Sequence, residues 1–160
     1  MNLLLVESSF RGENLWQSWL QNPADLTPKQ QTVLKRANEI IASAKKADIL
    51  VFGAPLYNFT VTSTLKAWLD HLTRSGETFI YTENGVQGLL NNKKVVVLGA
   101  IGGNYENEGD FQTPYLRYVF GFNGLTDVTF INAKALNFEQ MRQQSLENAC
   151  KQIKQFVDNI

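Results

Sequence analysis

Three features of this sequence predict an α/β fold built on a doubly wound parallel sheet. Four short apolar runs, residues 3–6, 49–52, 95–98 and 128–131, have strand length and are continuous rather than alternating; that pattern suits parallel strands covered on both faces. Amphipathic helical patterns separate them. With 160 residues, 44% of them hydrophobic, the chain can bury one sizeable core, so a single domain over residues 1–160 is expected.

The elements follow in order. Leu3-Leu4-Leu5-Val6 comes directly after Met1-Asn2 with no basic flank, so it reads as a strand and not as a secretion signal. Between Ser9 and Thr27 lie 17 residues, too few for a crossover helix together with a further strand. Leu15, Trp16, Trp19 and Leu20 suggest a short helix that Asn22-Pro23 ends, Trp16 and Trp19 sharing one face. The sheet is therefore expected to have four strands, with the edge of the first covered by residues 15–26 or by a neighbouring chain. Thr27-Pro28-Lys29-Gln30 combines an N-cap threonine, a first-turn proline and a capping-box glutamine. It predicts a helix over 28–46 with an apolar stripe through Val33, Leu34, Ala37, Ile40, Ile41 and Ala44. Thr62 or Ser63 is expected to cap a second helix ended by Gly76, Thr113-Pro114 to open a third that closes near Gly124, and Asn137 to cap the last.

Charge excludes several function classes. Fifteen basic and fifteen acidic residues cancel and form no long run, so neither nucleic acid nor an anionic membrane is an expected partner. No apolar run approaches spanning length. The single cysteine, Cys150, excludes an intrachain disulfide and a cysteine-cluster metal site, and its helical pattern suggests burial. Cytoplasmic residence fits best.

In an open parallel sheet ligands bind beyond the carboxyl ends of the strands. The loops there read Glu7-Ser8-Ser9-Phe10-Arg11-Gly12, Gly53-Ala54-Pro55-Leu56-Tyr57-Asn58-Phe59 and Gly99-Ala100-Ile101-Gly102-Gly103-Asn104-Tyr105. The first holds serines where a dinucleotide fold has glycines, and no lysine-bearing phosphate loop occurs, so a Rossmann-type nicotinamide site is excluded. Ser8-Ser9 suits either a monophosphate cradle or an ordinary turn. Tyr57 and Phe59 suit packing beside a planar ring while Asn58 bonds its polar edge; the alternative is two core aromatics. Gly102-Gly103 allows close backbone approach, or simply a tight turn.

Taken together, Ala54-Pro55-Leu56-Tyr57-Asn58-Phe59, Thr78-Phe79-Ile80-Tyr81-Thr82-Glu83-Asn84-Gly85 with Gly88-Leu89, and Thr113-Pro114-Tyr115-Leu116 through Gly121-Phe122 and Gly124-Leu125-Thr126-Asp127-Val128 resemble the bacterial FMN-dependent NADH-azoreductases and quinone reductases. The resemblance implies a flavodoxin-like three-layer sandwich and an FMN cofactor. It also implies electron transfer from NADH to a quinone or azo acceptor by a ping-pong mechanism, in homodimers with flavin sites at the subunit interface. By position, Leu56, Tyr57, Asn58, Phe59, Gly102 and Gly103 match flavin-ring contacts, and Ser9 matches a phosphate-contacting serine. Tyr81 and Phe122 match aromatics that close the site from the partner subunit, and Tyr105 stands near a histidine position of the family. No catalytic side chain is implied beyond the cofactor. The family's second strand and most of its first helix lack counterparts, two phosphate-loop serines align with Leu15 and Gln17, and Ala100-Ile101 replaces a polar pair. Those departures define a second expectation, a flavodoxin-like protein that binds FMN weakly or not at all and acts as a binding or regulatory module.

The remaining polar candidates read as structural. His71, the only histidine, is expected as a surface residue or a residue of a helix's last turn. Asp48, Asp70 and Asp110 have no metal-ligand spacing and read as solvated or capping residues, so no metal is expected.

Overall fold

The structure, a computed structural model, describes residues 1–6, 19, 21–105 and 109–160. Within them the order is β1 (Leu3–Val6), a 3-10 turn (Pro23–Asp25), α1 (Pro28–Lys46), β2 (Ile49–Gly53), α2 (Ser63–Leu72), β3 (Phe79–Thr82), β4 (Gly85–Gly88), β5 (Lys94–Ala100), α3 (Gln112–Phe122), β6 (Asp127–Ala133) and α4 (Glu139–Asp158). The four apolar runs are strands of one parallel four-stranded sheet in the order β1-β2-β5-β6. The fold is flavodoxin-like, as the resemblance implied.

Two layers of helix enclose the sheet. On one face Leu50, Phe52, Val95 and Val97 meet Ile41 and Ala44 of α1, Leu65, Trp68 and Leu69 of α2, and Leu116 and Phe120 of α3. Phe52 sits at the centre, its ring 5.2 Å from that of Trp68 and 4.9 Å from that of Phe120. Removing such a ring costs about 3–5 kcal/mol. On the other face Val96, Ile131 and Ala133 pack with Ala149 of α4.

Local chemistry sets the helix ends. Thr27 and Gln30 form the expected capping box, with N···O distances of 3.3 and 2.9 Å. The Lys93 ammonium closes the other end of α1 by donating to the carbonyls of Lys45 and Ala47. Thr62, of the two candidates, caps α2. Asp110, half-buried, accepts from the Thr113 amide and hydroxyl and so holds the first turn of α3.

Several expectations need correction. α2 ends at Leu72 with Thr73 as its cap, not at Gly76; Gly76 instead holds φ +79° in the turn leading to β3. Residues 79–88 form an antiparallel hairpin, β3 with β4, which the sequence reading did not assign. α4 begins at Glu139 without a side-chain cap, and Asn137 is drawn away to bond the Gly102 carbonyl through its own amide. His71 does lie in the last turn of α2, but it is 1% exposed and not a surface residue; it stands three residues after buried Trp68, on the packed face of the helix. Cys150 is exposed, because α4 turns the neighbouring Ala149 to the sheet and leaves Met141, Leu146 and Ile153 largely outside. Ser9, Arg11, Leu15, Trp16 and Gln17, with residues 18 and 20 of the segment expected to cover β1, lie outside the described residues. Among the described residues no helix is long and apolar enough to cross a membrane.

Candidate active site

The carboxyl ends of the two central strands, β2 and β5, carry the second and third loops. After β2 the chain keeps bonding to β5, the amides of Ala54 and Leu56 donating to the carbonyls of Leu98 and Ala100 at 2.9 and 3.0 Å. Tyr57 and Thr60 then bond each other in both directions at 3.0 and 3.1 Å, which closes a tight turn. Its two central residues, Asn58 and Phe59, hold φ of 47° and 71°. Left-handed backbone at successive non-glycine residues costs energy, and the surroundings enforce it. The Phe111 amide donates to the Phe59 carbonyl, and the amide nitrogen of buried Gln112 donates to the Ala54 carbonyl at 2.8 Å. The turn pushes Tyr57 and Phe59 outward, 62% and 48% exposed, with Asn58 exposed between them and Leu56 half-buried behind. They are not core aromatics.

The third loop is clamped to the segment that follows β6. Ile101 donates to the Ala133 carbonyl, while Leu136, Asn137 and Ala135 donate to the carbonyls of Ile101, Gly102 and Gly103. At both glycines a neighbouring side chain occupies the place of a Cβ. A Cβ on Gly102 would lie 2.5 Å from the Asn137 amide nitrogen, and one on Gly103 would lie 2.6 Å from the Tyr105 ring. Tyr105 in turn meets Phe59 edge to face, ring centroids 5.7 Å apart at 66°. Phe59, Gly103 and Tyr105 are thus brought together, with Leu56 tied to the same loop through Ala100.

Tyr81 and Phe122 fall in a separate cluster. Phe79 links them, its ring 5.4 Å from Tyr81 and 4.6 Å from Phe122, and Tyr81 and Tyr118 are 72% and 73% exposed. Beside it, Lys66 pairs with Asp70. Partial burial works against the Lys66 charge, yet that hydrogen bond and the Asp70 charge carry its pKa above the ordinary value. Burial raises the Tyr115 phenol, with Lys66 opposing and Asp70 adding. Both phenol and ammonium therefore stay protonated at neutral pH.

Gln112 and Asn137 were missed as supports of these loops. The signal for Gln112 was present, since it lies four and eight residues before Leu116 and Phe120 on the buried stripe of α3. Asn137 offered none, because its partner is 35 residues away in sequence.

A sequence model of proteins with a flavodoxin-like fold matches residues 5–157. The chain belongs to this family. An FMN-dependent NADH:quinone oxidoreductase 2 of Pseudomonas fluorescens (strain Pf0-1) is 50% identical over 125 residues, 78% of this chain and 63% of that protein. An FMN-dependent NADH:quinone oxidoreductase of Azotobacter vinelandii is 43% identical over 144 residues, 89% of this chain and 72% of its own length. The crystal structure of an FMN-dependent NADH-azoreductase from Bacillus anthracis, in complex with FMN, superposes with a TM-score of 0.84 at 28% identity. That match covers 96% of this chain and 76% of the other. The chain thus spans less than two thirds of the Pseudomonas relative, 63%.

Proposed function

We propose that this chain is an FMN-dependent oxidoreductase that passes electrons from NADH to quinones or azo compounds. It acts as a single domain over residues 1–160, in a cytoplasmic homodimer. The turn at residues 57–60 carries the reading. Strained backbone, pinned by four neighbouring hydrogen bonds and displaying two exposed aromatic rings, is what a ring-binding loop requires and what a structural turn does not.

The residues present fit a flavin. Leu56, Tyr57, Asn58 and Phe59 would hold the ring on one side, with Gly102 and Gly103 letting backbone approach it from the other; Ser9 would contact the phosphate. FMN supplies the two-electron chemistry when bound, taking hydride from NADH and passing electrons to the acceptor. The side chains orient the substrates and keep water away, so acid, base and nucleophile are not needed from the protein. Tyr105 borders the acceptor from the same chain, and Tyr81 and Phe122 from the partner subunit. Because both substrates use one aromatic-walled site, they occupy it in turn, which makes the kinetics ping-pong.

The test is titration of the purified protein with FMN and with riboflavin, followed by visible absorbance. Tight ring binding and stronger binding of FMN than of riboflavin are expected. A protein that binds neither overturns the reading. Equal affinities would leave the ring site standing and remove Ser9 as a phosphate contact, and changing Leu15 and Gln17 to serine would then raise FMN affinity alone.

A further inference from the structure

Lys134 leaves the carboxyl end of β6 half-buried. Its ammonium donates to the main-chain carbonyl of Tyr105 at 3.0 Å, 29 residues away, and its own amide donates to the Ser145 hydroxyl of α4 at 2.8 Å. It forms none of the ion pairs found among the described residues. Among the described residues its ammonium thus bonds a peptide carbonyl at the end of the third loop.

The Tyr105 ring has a made seat. Gly103 and Gly109 both lack the Cβ that would strike it, at 2.6 and 3.1 Å, and Phe59 stands against its edge. The glycine pair beside it is held separately, through backbone amides of Ala135 and Asn137 to the carbonyls of Gly103 and Gly102. A change at the Lys134 side chain leaves those bonds in place. Among the described residues the acceptor that loses its donor is the Tyr105 carbonyl, and that donor is charge-assisted.

We propose that Lys134 is a positioning residue for the electron acceptor: it fixes the Tyr105 main chain, and through it the Tyr105 ring that stands against Phe59, without holding the Gly102-Gly103 turn. This rests on the flavoenzyme reading. The two rings are uncharged and flat, so the acceptor they select is a planar, neutral ring system.

Binding of a naphthoquinone to the oxidised, FMN-loaded protein without NADH tests the inference, since nothing turns over. Lys134→Met should weaken quinone binding about five- to tenfold, because the acceptor must then order the Tyr105 ring as it binds. FMN affinity should stay within about twofold and Lys134→Arg should recover most of the loss, because the guanidinium can still donate to the carbonyl. In a Tyr105→Ala background Lys134→Met should add nothing further. Unchanged quinone binding, an additive effect in the double variant, or a parallel loss of FMN affinity overturns the proposal. Wild type that binds no flavin overturns the flavoenzyme reading itself, and this inference with it. If Lys134→Met does not fold, Lys134→Leu, which also lacks a donor, carries the same comparison.

Discussion

The ring of Phe59 meets the ring of Tyr105 edge to face, 5.7 Å between centroids, across two loops that leave adjacent strands. Phe59 is 48% exposed and contributes little to the core. Its replacement by alanine should leave the melting temperature nearly unchanged. Losing the edge contact and the stacking area should lower kcat/KM for a quinone roughly tenfold. Wild type should give parallel double-reciprocal lines for NADH against acceptor, and intersecting lines would show that both substrates bind together.

Asn58 separates backbone strain from side-chain recognition. At φ 47° asparagine is tolerated, alanine costs about 1 kcal/mol and glycine is relaxed. Asn58→Ala should therefore lower thermal stability while Asn58→Gly does not. If the amide bonds the flavin's polar edge, both variants should weaken riboflavin binding alike, measured by fluorescence quenching. A glycine variant that binds as well as wild type would assign the effect to the turn alone.

Much of this was legible because the signals were local. Four apolar runs, the Thr27 and Gln30 capping box and the ring-facing loop each depend on residues close in sequence. What escaped notice was long-range. Asn137 looked like a helix cap by its neighbours, but a carbonyl at Gly102 competes for the segment and wins. Cys150 sits in an apolar helical pattern, yet α4 rests on the sheet mainly through Ala149 and Phe156, and periodicity does not say how wide a stripe is covered. The place of His71 in the last turn of α2 was legible, and its burial follows from its three-residue spacing from buried Trp68.

Gly88 anchors the β3–β4 hairpin to the end of α3. An added Cβ there would fall 2.0 Å from the Gly124 nitrogen and 2.4 Å from the Asn123 carbonyl carbon, both backbone atoms. Gly124 itself holds φ +92°, and the Leu90 amide bonds the Asn123 carbonyl alongside. Neither side can yield cheaply, so Gly88→Ala should destabilise the protein by about 2–3 kcal/mol in chemical denaturation. A loss below half a kcal/mol would show that the hairpin shifts freely.

The exposed rings on that hairpin and on α3, Tyr81, Tyr118 and the edge of Phe122, form apolar area seldom left bare on a monomer. A dimer mass by light scattering is expected at micromolar concentration, and Tyr81→Glu should shift it toward the monomer. A wild type that scatters as one chain mass would remove the shared-site arrangement.

His71 gives the protein an acid-sensitive stability. Burial pushes its imidazole below the ordinary 6.5, the nearby Arg36 charge adds to that, and Asp70 opposes it. The folded chain therefore takes up this proton only at lower pH, while the unfolded chain takes it up near 6.5. Between those values the unfolded state binds more protons, so stability falls as pH falls. The contribution is complete above about 6.5, the unfolded-state value, and is progressively lost down to the folded-state value. Glu77 acts in a different window. Its hydrogen bond to Lys45 lowers the carboxyl, burial opposes, and Arg74 adds to the lowering, so its contribution is lost only below its ordinary 4.5. Melting temperature should thus decline between pH 7.5 and 5.5 in wild type and much less in His71→Leu, which keeps an apolar side chain in the same space. Since His71 is the sole histidine, one imidazole C–H resonance reports its titration directly by NMR. A midpoint at or above 6.5, or equal slopes in the two proteins, would show that α2 accommodates the charged ring at no cost.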